Sequence, residues 1–197
     1  MHDTDLPLLQ NGTLRREDLY TLRRGEPVHD QIRKRIMLLD TECIKIRSLQ
    51  GGDICRFYQS TSGLCAIHAN KPLECIALRC WDTTDLTTAS ARPRLFRLDV
   101  IAENSALAEL ISDHENVCAV NPLLRWLQDD TPESSEKIRQ SMAYDAALRD
   151  LLMEKARITP DLLPFLLGRP LPEVVQGLRR WLARREESKR QRYSTRP

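Results

Sequence analysis

The sequence predicts an α+β fold, mainly helical, in which a small cysteine-rich β-hairpin and loop region packs against several α-helices. Two patterns predict it. Five of the six cysteines fall between Cys43 and Cys80, where apolar residues alternate over short stretches and the runs Gly51-Gly52-Asp53 and Thr61-Ser62-Gly63 mark turns. Beyond about residue 104 the apolar residues instead recur at helical spacing, and Thr-Pro pairs mark where new helices begin. At 197 residues the chain can bury a core without a metal, so a metal needs another reason.

Taken in order, residues 1–25 are polar and Arg-rich, and are expected to form a loosely ordered arm. Val28, Ile32, Ile36 and Leu39 suit a helix ending near Asp40. Cys43 to Arg47 and Ile54 to Tyr58 alternate as strands do, and Leu64 to His68 continues the extended pattern until Asn70-Lys71-Pro72 breaks it. Pro72 is placed to start a helical turn carrying Cys75. Asp82 to Pro93 reads as a polar loop and Leu95 to Val100 as a short strand or connector. Leu107, Leu110, Ile111, His114 and Cys118 share one face of a helix from about Asn104. Pro122 opens a short helix, Thr131-Pro132 starts a long one to about Ala156, and Thr159-Pro160 starts another that Gly168 stops. A last helix begins near Pro172. The predicted organisation is an arm over 1–25, a cysteine-cluster domain over 26–120, a helical region over 121–187 packed on it, and a basic disordered tail over 188–197.

Composition narrows the function classes. The chain is 41% hydrophobic and 29% charged, and no apolar run approaches the roughly 18 to 20 residues that cross a bilayer, so no membrane role is expected. The amino-terminal stretch lacks the basic, apolar and small-residue regions of a secretory signal, which points to the cytoplasm. A net charge of +2 makes a nucleic-acid partner unlikely, and the basic stretch after Leu178 is interrupted by Glu186-Glu187 as a solvated helix face would be. Walker, dinucleotide-binding, zinc-protease and nucleophile-elbow motifs are all missing.

In a reducing compartment, clustered cysteines read as metal ligands before they read as disulfides. Cys55, Cys65, Cys75 and Cys80 have the spacing C-x9-C-x9-C-x4-C. Four thiolates complete a tetrahedral zinc site or hold an iron–sulfur cluster, and the spacing does not choose between the two. A turn or break precedes each of the first three, which lets separate segments bring their sulfurs to one point. Buried apolar cysteines are the plainer alternative, and a redox dithiol lacks the C-x-x-C it would need. Cys43 is a fifth thiolate or a core side chain. His114 and Cys118, four apart on one helix face, could add an imidazole and a thiolate to the same centre, or could simply pack. His2 and His29 have no neighbouring candidates in sequence and receive no role, and His68 reads as a surface residue.

Around these cysteines the chain resembles the YkgJ-like cysteine-cluster family, described as a zinc- or iron-chelating domain. The resemblance rests on Cys55-Arg56-Phe57-Tyr58, Cys65-Ala66-Ile67-His68, Lys71-Pro72-Leu73-Glu74-Cys75 and Cys80-Trp81-Asp82-Thr83. The family's leading CxxCxxCC cluster is absent, with Cys43 alone upstream, and His68 and Lys71 stand where Tyr and Arg are usual. The resemblance therefore implies a metal-binding protein with a reduced ligand set and zinc or iron as cofactor. Flagellin lysine N-methylases contain a similar segment, so an iron–sulfur-dependent protein-modifying enzyme is an alternative. A redox or electron-transfer protein is another. The metal ion is the expected partner, with a protein partner left open.

Overall fold

The computed structural model describes residues 1–30, 34–49, 52–79, 81–103 and 105–194. It has the predicted class, with 55% of residues helical and 14% in small antiparallel sheets. No helix among the described residues is long and apolar enough to cross a membrane.

The first 25 residues are not a loose arm. They form a short 3-10 turn over Asp3–Asp5, helix α1 (Leu6–Gln10), a second 3-10 turn over Arg16–Asp18 and strand β1 (Leu19–Leu22). Met1, Leu14 and Leu19 are buried in the first of two apolar clusters, together with Ile44, Ile111 and Phe165. Polarity misled the sequence reading because several polar groups here are themselves buried and bonded: Asp5 accepts from His2 N, and Asp18 accepts from Arg15 N.

The helix expected over Val28 to Leu39 is a hairpin instead. Strand β2 (Pro27–Asp30) pairs antiparallel with β3 (Arg35–Leu38), placing Val28 opposite Met37; Ile32 lies outside the described residues. The register sets Ile36 opposite His29, on the other face from Val28, so the apolar spacing read as one helix face is split between two strands. This hairpin is an excursion within a longer pairing of β1 with β4 (Cys43–Ile46), where Leu22 faces Cys43. A third small sheet joins β5 (Tyr58–Gln59) and β6 (Leu64–Cys65), and helix α2 (Leu73–Ala77) follows. The supposed loop after Trp81 contains α3 (Thr84–Ser90), and the connector after Leu95 contains α4 (Arg97–Val100).

The helical half follows most of its sequence signals, but the helix expected from Thr159-Pro160 begins only at Leu163, and the one expected from Pro122 begins earlier, at Val120. Ser105 caps α5 (Ala106–Cys118) by accepting from Ala108 N, and Thr131 caps α7 (Pro132–Glu154) by accepting from Ser134 N. Between them lies α6 (Val120–Asp129), which ends on Asp130 in the left-handed conformation with φ 48°. Helix α8 (Leu163–Leu167) then leads through Gly168 into α9 (Leu171–Ser194). Residues 188–194, expected as disordered tail, thus continue the last helix. A second apolar cluster gathers Val120, Leu123, Ile138, Leu171, Val174 and Leu178 from α6, α7 and α9.

The turn between α8 and α9 passes from one cluster to the other and depends on Gly168. Its φ of 71° and ψ of −161° lie in a region essentially reserved for glycine, and an added Cβ would stand 3.0 Å from Thr21 O. Gly168→Ala is therefore expected to destabilise the protein by about 1 to 3 kcal/mol, read as a lower midpoint in urea at unchanged slope.

Candidate metal centres

Three of the four predicted thiols come from three different segments, and Cys55 and Cys65 lie within electrostatic reach of Cys75; the ligand atoms gathered within 4.8 Å of one another among the described residues are not theirs. Cys55 forms an isolated antiparallel bridge with Ser48, and its carbonyl accepts from Tyr58 N at 3.0 Å to close a tight turn. That turn feeds β5, and the β5–β6 register sets Cys65 opposite Tyr58. Cys75 sits on α2. Although Cys75 as a residue is exposed, protein crowds its sulfur; that desolvation, followed by the charges of Cys55 and Cys65, pushes its pKa up to about 11. Cys55, Cys65 and Cys75 are all free thiols, the first and last exposed and Cys65 half-buried. Cys80 lies outside the described residues.

What holds these segments is the amino-terminal stretch. Arg56, next to Cys55, pairs through Nε with Asp18 at 2.8 Å and donates to Glu17 O, fixing the first turn. Asp5 accepts from Leu73 N at 2.8 Å at the start of α2. His2, fully buried, meets Glu74 through Nε2 at 2.9 Å, while its Nδ1 faces Arg92 O and Pro93 O. Burial acts against the Glu74 charge, but the His2 hydrogen bond together with the charges of the amino terminus, Lys45 and His2 outweighs it, so the Glu74 pKa is lowered. His2 thus has a positioning role that sequence reading missed, because its partners lie about 70 and 90 residues away.

Cys43 has the surroundings of a core residue: it is buried on β4 and accepts from Arg94 Nη1 at 2.7 Å. His68 is on the surface beside Lys71, with Nζ 3.4 Å from its Nε2.

His114 and Cys118 do come together, and their companion is Asp145. A ring nitrogen of His114, Cys118 Sγ and a carboxylate oxygen of Asp145 lie within 4.8 Å of one another, all buried; among the described residues this group could hold a metal ion. It arises where two helices meet. The buried positions of α5 are Ile111, His114 and Cys118, and those of α7 are Ser134, Ile138, Ser141, Asp145 and Leu152, each series spaced by threes, fours and sevens. Asp145 was missed among 28 acidic residues. The available signal was its place in that apolar seam, four residues after Ser141 and seven before Leu152.

Asp145 is heavily bonded. Oδ1 meets His114 Nε2 at 2.8 Å, and Oδ2 accepts from Arg149 Nε and from Leu171 N, both at 3.0 Å. Desolvation opposes its charge, but the His114 and Arg149 bonds prevail and hold its pKa at about 2. Burial pushes the His114 pKa down despite that carboxylate, so the ring is neutral near pH 7. Burial, with the Asp145 charge, pushes the Cys118 thiol up to about 12. A Cys–His–Asp trio would suggest a nucleophile, but a fully buried thiol with that pKa is protonated and inaccessible to substrate. No family model, no curated protein and no solved structure matches this chain.

Both buried shifts lie below the unfolded values, so the unfolded chain takes up protons first on acidification and stability falls with pH. In metal-free protein the loss from His114 is expected to begin below about pH 6.5, and that from Asp145 to run from about pH 4 towards 2. Asp145→Asn should flatten the acid limb by about 2 kcal/mol in urea titrations at a series of pH values. An unchanged limb would show that Asp145 is not the group concerned.

Proposed function

We propose that this protein binds zinc or an iron–sulfur cluster through Cys55, Cys65 and Cys75, with Cys80 as the fourth thiolate. What supports the reading is the electrostatic reach of Cys55, on a turn, and Cys65, on a strand, to Cys75 on a helix. Grouped thiols resist ionising together, because each anion raises the cost of the next. A bound cation reverses that balance and takes the thiolates as ligands, and soft sulfur donors select zinc or iron. The resemblance to YkgJ-like proteins points to the same residues. Four thiolates close the coordination sphere, which suits a binding module with no catalytic step of its own.

One further observation favours an electron-transfer reading if the metal is iron. An exposed apolar side chain stands next to each cysteine: Ile54, Leu64, Ile76 and, beside Cys80, Trp81 at 84% exposure. An approachable apolar rim suits a cluster that exchanges electrons with another protein.

Anaerobic purification followed by elemental analysis and an absorption spectrum tests the proposal. Iron with matching sulfide and visible charge-transfer bands selects the cluster, and a colourless protein with zinc selects the ion. Cys55→Ser, Cys65→Ser and Cys75→Ser should each remove most of this metal and loosen residues 54–79 to amide exchange, since ligation and local folding are linked. Full metal content in all three variants would remove the quartet from consideration.

A further inference from the structure

We propose that His114, Cys118 and Asp145 form a second, buried site that takes a single zinc ion, independent of the surface thiols. The donors are one imidazole nitrogen, one sulfur and one carboxylate oxygen, gathered within 4.8 Å from two packed helices. That mixture matches borderline zinc; an iron–sulfur cluster would need more thiolates, and calcium or magnesium would need oxygens throughout.

Charge and hydrogen bonding both accommodate the ion. One thiolate and one carboxylate offset a divalent cation once the Cys118 proton has left to solvent, with Arg149 remaining as the positive group beside Asp145. The nearby Arg23 already has Glu26 Oε1 at 3.3 Å and donates to Cys118 O, and Arg149 keeps the carbonyls of Leu167, Gly168 and Arg169 as acceptors. His114 provides an independent indication. It is fully buried, yet among the described residues its Nδ1 has no hydrogen-bond partner. An unsatisfied ring nitrogen is costly in a core, and a ring bonded at one nitrogen alone can turn a lone pair onto an ion without breaking a second contact. Cys118 Sγ donates one long hydrogen bond, to Ser141 O at 3.7 Å, which would be given up when the thiol loses its proton to an ion. Bound there, zinc would bolt α5 to α7 at the layer where both seams turn polar.

The test separates this site from the surface one. The full chain with Cys55, Cys65, Cys75 and Cys80 all changed to Ser is refolded with cobalt(II), a spectroscopic substitute for zinc, and then with zinc. The expected result is one equivalent of bound cobalt, with a single-thiolate charge-transfer band and, with a water completing the shell beside the three protein donors, ligand-field bands of four-coordination. Zinc should displace the cobalt, and Cys118→Ala in the same background should abolish the band. If the fourfold variant does not fold, the natural chain with its exposed thiols alkylated by iodoacetamide takes its place. Folded protein of either kind that binds no cobalt overturns the buried site, as does a band that survives Cys118→Ala. Neither result touches the surface thiols, whose metal is measured in the natural chain.

Discussion

The segment that carries the thiols depends on two buried carboxylates outside it. Asp18 holds the turn of Cys55 through Arg56, and Asp5 holds the start of the helix of Cys75 through Leu73 N. Between them the chain has little apolar mass to bury: β5 and β6 are two residues each, and Phe57 and Ile67 reach the first core cluster only as partly buried neighbours. A two-stranded hairpin of that size is not stable alone. Its geometry is borrowed from residues 1–18, and a cation among the thiols would supply the cross-link that hydrophobic burial does not.

A second layer of buried charge organises the rest. Arg97 is held by Glu42 through Nε at 3.0 Å and by Glu115 through Nη2 at 2.7 Å, and donates to Leu166 O. Arg169 meets Glu26, which also holds Arg23. Asp145 joins α7 to α5 through His114 and to the first residue of α9 through Leu171 N. Buried pairs of this kind add little net stability over apolar packing, but removing one partner leaves an uncompensated charge. Their effect is to fix which helix faces meet, and so to fix where His114 and Cys118 stand.

The helical half was readable because its signals are local. Ser105, Thr131 and Gly168 do at α5, α7 and α8 what such residues do at any helix end, and no distant contact is needed to interpret them. The amino-terminal third was misread because its structure is set by distant partners. His2 answers to Glu74 and Arg92, and nothing near it in sequence says so. Val28 and Ile36 keep a helical spacing, and pairing across the hairpin puts them on two strands and opposite faces instead. The cysteine quartet was visible as a spacing, and the fold brings its three described members within electrostatic reach. The grouping of His114 with Cys118 was visible too, whereas Asp145 needed the packing of α7 on α5 to be recognised as its third member.

The most direct measurement is the X-ray absorption fine structure at the metal edge of protein isolated without air. The account predicts a first coordination shell dominated by sulfur at about 2.3 Å. A shell of oxygen and nitrogen alone, or protein that carries no metal, would contradict it.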